Sequence, residues 1–298
     1  MLKVSNIVKY YGDNIAVDGL SFEVGEGEIF GLLGENGAGK TTTFRIIMGL
    51  LDATSGSVTL DNKPIDYSVT DKIGFVTEER SLLAKMTVNE QVIFYGLLKG
   101  MDEHVISKEL DIWLERFQIK EYKNRKIKEL SKGNQQKIQF IAAIINHPKL
   151  LILDEPFTGL DPINVELFKN AIKDLQKEGC SIIFSSHQME HIELFCEKLV
   201  ILVKGKVILE GYLNDIKKSY RKKNIKIQGD INPIELEHLQ GVVSVIKNAN
   251  EYEIKIESDD IVPKVFKEIS KYNVTKFIVE EPSLNEIFIA KVGESYAK

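Results

Sequence analysis

The chain has 298 residues and a formal net charge of −5, which leaves room for one large domain and a small one and argues against wholesale nucleic-acid binding. Its two cysteines, Cys180 and Cys196, form neither a disulfide framework nor a metal-ligand spacing, so a reducing compartment is expected. No basic start leads into an apolar N-terminal stretch, and the longest apolar runs, such as 140–145, are too short to span a bilayer. The reading therefore expects no signal peptide and no membrane span, and any membrane role must come through a partner chain.

Residues 1–27 read as antiparallel strands. Val4, Ile7, Val17, Leu20, Phe22 and Val24 fall in short runs broken by turns at 11–14 and 25–27. Tyr11, just before the first turn, either stacks on a base or packs as an ordinary strand aromatic. Ile29–Leu33 is a continuous apolar strand leading into Gly34-Glu35-Asn36-Gly37-Ala38-Gly39-Lys40-Thr41-Thr42. That stretch fills every required position of the phosphate-binding pattern G-x-x-x-x-G-K-[ST]. Its glycines let the backbone turn tightly around a phosphate chain, and the loop amides and the following helix start converge on anionic oxygens. Lys40 is placed to neutralise the β- and γ-phosphates, the Thr41 hydroxyl to ligate Mg²⁺, and Thr42 to donate to the α-phosphate. Phe44, Ile47, Met48 and Leu51 continue at helical spacing, so the required strand, loop and helix order is present.

Residues 55–63 read as a turn, a short strand and a hairpin turn, and 73–77 as a further short strand ending at Glu78-Glu79-Arg80. From about 86 to 148 the pattern turns helical, with Thr87 as a cap and apolar stripes through Val92, Trp113 and Ile141, and reads as a helical subdomain inserted in the core. The charged stretch 120–128 is a solvated connection. Ser131 caps the third helix, and its hydroxyl, the exposed amides of Lys132 and Gly133 and the helix dipole make a second anion site.

Leu150–Leu153 is a strand buried on both faces, ending in the carboxylates Asp154 and Glu155. Ligands of a doubly wound sheet bind at the carboxyl ends of its strands. Asp154 is thus placed to hold Mg²⁺ and Glu155 to orient the water that attacks the γ-phosphate. His187 follows the next buried strand, 181–186, and can hydrogen-bond a phosphate oxygen. His191 lies one turn on, but Gln188 stands where a zinc-protease helix needs Glu, so no zinc site is expected.

Two further strands are expected at 199–203 and 206–209. The basic run 217–223 reads as a linker, and the order strand, helix, strand, strand, helix, strand beyond it is that of a ferredoxin-like unit. A closing helix starts at Ser283 with Glu286 three residues on, a capping box.

In combination these motifs resemble the nucleotide-binding subunits of ATP-binding cassette (ABC) transporters over residues 1 to about 215. Gly34–Thr41 is then Walker A, Leu150–Asp154 Walker B, and Glu155 the catalytic carboxylate. Leu130-Ser131-Lys132-Gly133-Asn134 is a variant of the signature L-S-G-G-Q, with Lys132 and Asn134 departing from it. Gly159-Leu160-Asp161 is the D-loop, His187 the H-loop, and Tyr11 takes the adenine-stacking position. By register Glu78 replaces the switch glutamine. The run 77–80, the signature variant and the tail 282–288 resemble bacterial exporter ATPases of the sodium-efflux and antibiotic-resistance type, which carry an extra C-terminal domain.

The resemblance implies an α/β P-loop cassette core at 1–218, with N-terminal antiparallel strands and the helical insertion, and a small α+β ferredoxin-like accessory domain at 219–298. It implies a Mg²⁺-dependent ATPase powering export. Lys40, Glu155 and His187 act in catalysis. Tyr11, residues 34–42, Ser131 and Gly133 bind ATP. Thr41, Asp154 and Glu78 are placed at Mg²⁺, with Glu78 either a ligand or a charge that holds the site open. The implied partners are an integral membrane permease and a second nucleotide-binding subunit, identical or paralogous, with no nucleic acid. The implied location is cytoplasmic, peripheral on the inner membrane face. A soluble cassette ATPase acting on ribosomes or DNA is the competing reading. Ribosomal members usually carry two cassettes, and DNA-repair members a long coiled-coil insertion that is too short here. A scaffold that binds ATP without turnover is a third, and the retained Asp154 and Glu155 argue against it.

Overall fold

The computed structural model describes residues 1–79, 81–220 and 223–296. Arg80, at the expected strand end, and Arg221 and Lys222, in the basic run, lie outside the described residues. The chain divides into two units, Met1–Glu210 and Gly211–Lys298. The basic run puts the expected division at residue 219, whereas the compact units divide between Glu210 and Gly211, and the helix 213–219, which holds the first residues of that run, groups with the second unit.

In the first unit, β1 (Leu2–Tyr11) and β2 (Asn14–Val24) form a hairpin. Then come β3 (Ile29–Gly34), α1 (Lys40–Ile47), β4 (Ser55–Leu60), β5 (Lys63–Pro64), α2 (Tyr67–Thr70) and β6 (Ile73–Val76). The helical insertion is α3 (Val88–Leu98), α4 (Glu103–Arg116) and α5 (Lys132–Ile144). The core resumes with β7 (Leu150–Asp154), α6 (Pro162–Lys177), β8 (Ser181–Ser185), α7 (Met189–Phe195), β9 (Lys198–Val203) and β10 (Lys206–Tyr212).

One sheet has the order β2-β1-β4-β5 and is antiparallel, as the alternating N-terminal pattern predicts. The other has the order β10-β9-β3-β8-β7-β6, in which β9, β3, β8, β7 and β6 run parallel. Every residue of β3, β7 and β8 is buried, which is why these strands read as unbroken apolar runs. Leu2, Val4, Ile7 and Phe22 of the antiparallel sheet share one core with Phe30, Phe44, Ile152 and Val200, and Phe22 stacks on Phe30 with ring centroids 4.6 Å apart. Because the parallel strands share one direction, all five end on the same edge, and their end loops are brought together there.

The insertion is built from local signals. Thr87 and Glu90 form a reciprocal capping box on α3, Asp102 caps α4, and Ser131 accepts from Asn134 N at the start of α5. Aromatic rings run without a break from Trp113 through Phe117, Phe140 and Phe168 to Phe157, beside the end of β7.

The second unit comprises α8 (Leu213–Ser219), β11 (Lys223–Gly229), α9 (Pro233–Glu237), β12 (Val242–Asn248), β13 (Glu251–Ile256), α10 (Val262–Ile269), β14 (Val274–Glu280) and α11 (Leu284–Tyr296). Its sheet order β12-β13-β11-β14, antiparallel throughout, is the ferredoxin-like arrangement that the element order predicts. Ile225, Ile227, Ile254 and Ile256 bury one sheet face against Leu236, Val265 and Ile269 of α9 and α10. Among the described residues no helix is long and apolar enough to cross a membrane.

Candidate active site

The loops that leave the parallel strands surround an open cleft of about 450 Å³. β3 contributes the glycine-rich loop, β6 Glu78, β7 Asp154 and Glu155, and β9 the turn bearing Lys204.

The loop's shape depends on glycine at two points. Gly34 has φ +154°, and a Cβ there would lie 2.5 Å from Leu202 O. Gly39 has φ +105°, and a Cβ would lie 2.4 Å from Ala16 O. Any larger residue would push the loop off β9 and β2. Neither Gly34 nor Ala38 lines the cleft; they shape the turn that presents Glu35, Asn36, Gly37, Gly39, Lys40, Thr41 and Thr42, which do. No side chain caps the start of α1, so its first amides are left for an anion. Lys40 is buried, with Nζ donating to Gly34 O at 2.6 Å and Glu35 O at 3.3 Å. Those bonds hold the cation at the mouth of the loop, where a phosphate chain would meet it.

Opposite stand two buried carboxylates. Asp154 Oδ1 accepts from Ser185 Oγ at 2.6 Å. Burial pushes the Asp154 carboxyl above the usual range; Ser185 and Lys40 oppose this, and the charges of Glu155 and Glu78 add to it. Glu155 adopts a left-handed backbone, φ +50°, a strained conformation for a residue with a side chain. Its Oε1 lies 2.9 Å from His187 Nδ1, and its Oε2 accepts from Ser186 Oγ at 3.3 Å. The loop after β8 therefore fixes both Glu155 oxygens. His191 instead sets its ring edge-on to Phe157, with centroids 4.9 Å apart, and burial lowers its pKa.

Thr41, Asp154 and Glu78 face one cleft. Among the described residues no three His, Cys, Asp or Glu side chains group closely enough to hold a metal by themselves. One hydroxyl and one or two carboxylates fit a Mg²⁺ ion that takes its remaining oxygens from phosphates and water.

Other expected site residues stand apart. Tyr11, at the end of β1, is exposed and does not line the cleft, although its strand partner Asn14 does. Lys9 Nζ lies 5.5 Å from the Tyr11 ring centroid. Ser131 and Gly133 start α5 and do not line the cleft either. The chain-order reading missed Asn14, Ile15, Ala16, Lys204 and Lys206, which do line it. The turn at Lys204-Gly205 reaches the cleft because Gly205 N donates to Ala38 O and Gly205 O accepts from Asp18 N. The one signal in the sequence is the Lys-Gly-Lys turn between two strands, and nothing local assigns it to a phosphate site.

Comparison with known proteins gives the following. A family model described as ABC transporter matches residues 17–158, and one described as the C-terminal domain of DrrA1-3-like ATP-binding proteins matches 211–292. The uncharacterized ABC transporter ATP-binding protein YhaQ of Bacillus subtilis is 50% identical over 99% of this chain and 100% of its own length. The linearmycin resistance ATP-binding protein LnrL of the same organism is 32% identical over 99% of both chains. A dimeric ATP-binding cassette, solved in a post-hydrolysis state with ADP and Pi, superposes with a TM-score of 0.65 at 27% identity, covering 72% of this chain and 99% of that one.

Proposed function

The chain belongs to the ATP-binding subunits of ABC transporters, and from that premise we propose that it hydrolyses ATP with Mg²⁺ to drive export through a separate membrane permease. What carries the reading is one cleft shared by the glycine-rich loop, buried Lys40, and an Asp154–Glu155 pair whose second carboxylate is held by His187 and Ser186. Export is supported by the name of one relative, a resistance ATP-binding protein.

The loop amides and Lys40 bind the β- and γ-phosphates, so charge developing on the transferred phosphoryl group meets fixed positive partners. Glu155, with both oxygens fixed, orients a water and takes its proton. His187 holds that carboxylate and offers its other ring nitrogen to a phosphate oxygen. Thr41 and Asp154 would hold Mg²⁺, whose chemistry is to neutralise phosphate charge. Ser131 and Gly133, at a helix start outside the cleft, serve the partner subunit's nucleotide in a dimer; the dimeric state of the cassette that this chain resembles supports this. Tyr11 stacks on adenine across the same open edge as Asn14. The permease holds the subunit at the inner membrane face, and the second unit is an accessory domain serving dimer contacts or regulation.

The test is Glu155→Gln. Hydrolysis should fall about 10²- to 10³-fold with ATP affinity kept, and a closed dimer should accumulate with ATP and Mg²⁺. Light scattering that shows monomer alone, with the permease present, counts against the dimer.

Glu78 stands where the family carries glutamine, and its charge adds to the crowding around Asp154. We read it as a brake that holds the cleft open until the permease draws it in. Glu78→Gln should then keep or raise basal ATPase activity and weaken its dependence on the permease. If activity is instead lost and returns only at much higher Mg²⁺, Glu78 is a metal ligand.

A further inference from the structure

The segment that carries Glu78 has no regular structure: β6 ends at Val76, and Thr77, Glu78 and Glu79 follow as loop. A loop of this kind does not by itself hold a carboxylate in a cleft. One side chain from another element grips it on both sides. Gln139, in the middle of α5, is buried, and its Nε2 donates to Thr77 Oγ1 at 2.8 Å, to Thr77 O at 3.2 Å and, weakly, to Glu79 O at 3.5 Å. These acceptors flank Glu78. The Thr77 hydroxyl also bonds to Glu79 O, which closes the loop on itself. Gln139 Oε1 finds no donor among the described residues. An apolar residue would fill that buried helix face without an unpaired acceptor, which ordinarily costs about 1–3 kcal/mol.

Gln139 is eight residues into the helix that Ser131 caps, or about 12 Å along its axis. A helix of this length moves as a rod. One turn before Gln139, Gln136 Nε2 reaches Pro156 O at 3.5 Å, beside Glu155. The same rod thus touches the chain next to two of the cleft's carboxylates.

We propose that Gln139 is a positioning residue that holds Glu78 in the cleft and fastens it to α5. Displacement of α5 at its Ser131 end is then passed to Glu78. The activity arm of this inference rests on the ATPase reading above; the structural arm does not.

The experiment compares Gln139→Met, which keeps the bulk and loses the donor, and Gln139→Glu, which is isosteric and sets a carboxylate against the two carbonyls. Amide hydrogen exchange of the full chain should show faster exchange across residues 77–79 in both variants, with residues 34–42 unchanged. Unchanged exchange at 77–79 overturns the proposal, whether or not the chain is an ATPase. In steady-state ATP hydrolysis, each variant should cut the permease's stimulation of kcat by about three- to tenfold, as Glu78→Gln does, with KM for ATP within about twofold of wild type. In a Glu78→Gln background the same substitutions should have no further effect. Full additivity would make Gln139 a packing residue and overturn its action through Glu78. Absence of hydrolysis in the unmutated chain with its permease would instead fault the ATPase reading, and the exchange result would still decide the positioning role.

Discussion

Two carboxylates, one in each unit, show the same chemical group in opposite surroundings. Asp154 is buried at the end of β7 with one hydroxyl partner, Ser185, and with Glu155 and Glu78 close enough to raise its pKa further. Glu286, at the start of α11, is desolvated too, but it accepts from Asn224 Nδ2 at 2.7 Å and Ser283 N at 3.0 Å and pairs with Lys255. Those partners outweigh burial and pull its pKa below the ordinary value. The first unit leaves charge under-compensated where a substrate and an ion can complete it. The second pairs charges within its own sheet: Lys226–Glu280 joins the neighbouring strands β11 and β14, and Lys276–Glu251 reaches across β11 from β14 to β13. A region built to hold a shape and a region built to do chemistry differ in this respect more than in fold.

The comparison predicts opposite signs for removing the two charges. Asp154→Asn keeps an acceptor for the Ser185 hydroxyl and takes one charge out of the acidic cluster. Hydrolysis should fall by about 10²-fold or more. Stability should rise by about 1 kcal/mol, or about 2–4 °C in the unfolding midpoint, measured by calorimetry in EDTA without nucleotide. A lowered midpoint would mean that Asp154 is compensated in the folded chain, and the contrast between the units would fail.

Much of this was legible in the sequence, where the physics is local. The phosphate loop is contiguous because a turn around a phosphate chain uses consecutive amides, so its residues cluster in the chain as they do in space. Asp154 and Glu155 follow a strand whose unbroken apolar run marks it as central. The Ser283–Glu286 box is a three-residue spacing and appears as expected, with Glu286 N donating to Ser283 Oγ at 3.3 Å. What the sequence hid is what the sheet order brings together. Lys204 and Lys206 reach the cleft only because β9 lies beside β3, and Gln139 meets Thr77 across 62 residues. The division between the units differs from the break in composition for a related reason. Composition marks where charge changes, and the short helix 213–219 sorts by contacts that composition does not report.

A middle-sized effect sharpens the contrast within the first unit. Lys204 and Lys206 line the side of the cleft where Asn14, Ile15 and Ala16 lie, and Lys206 is only loosely held, with Nζ 3.8 Å from Asp18 Oδ2. If this unit leaves charge for its ligand, these cations should attract ATP. Exposed cations contribute about 0.2–1 kcal/mol each, so replacing both with alanine should weaken ATP binding about two- to thirtyfold. The loss should shrink at high salt, where such charges are screened. A fluorescent-nucleotide titration at two ionic strengths checks this, and an affinity unchanged at low salt would leave the rim without a role.

The smallest expected effect belongs to Glu286→Gln. The glutamine oxygen can still accept from Ser283 N and cap α11, so what is lost is the charge facing Lys255 and Asn224. That interaction is partly exposed, and its loss should cost the second unit about 0.5–1 kcal/mol. The pH dependence gives the cost its signature. The folded pKa lies below the ordinary 4.5, so on acidification the unfolded chain takes up the proton first. The stabilisation is therefore fully present above that ordinary value and disappears as pH falls through the lower, folded value. Wild type and variant should differ in thermal stability at pH 7 and converge at the acid end of that window. ATP hydrolysis at pH 7 should be the same in both, because the group lies outside the unit that carries the cleft. A stability difference that persists undiminished below that window would show that Glu286 acts by shape rather than charge, and the pairing with Asp154 would then compare two unlike things.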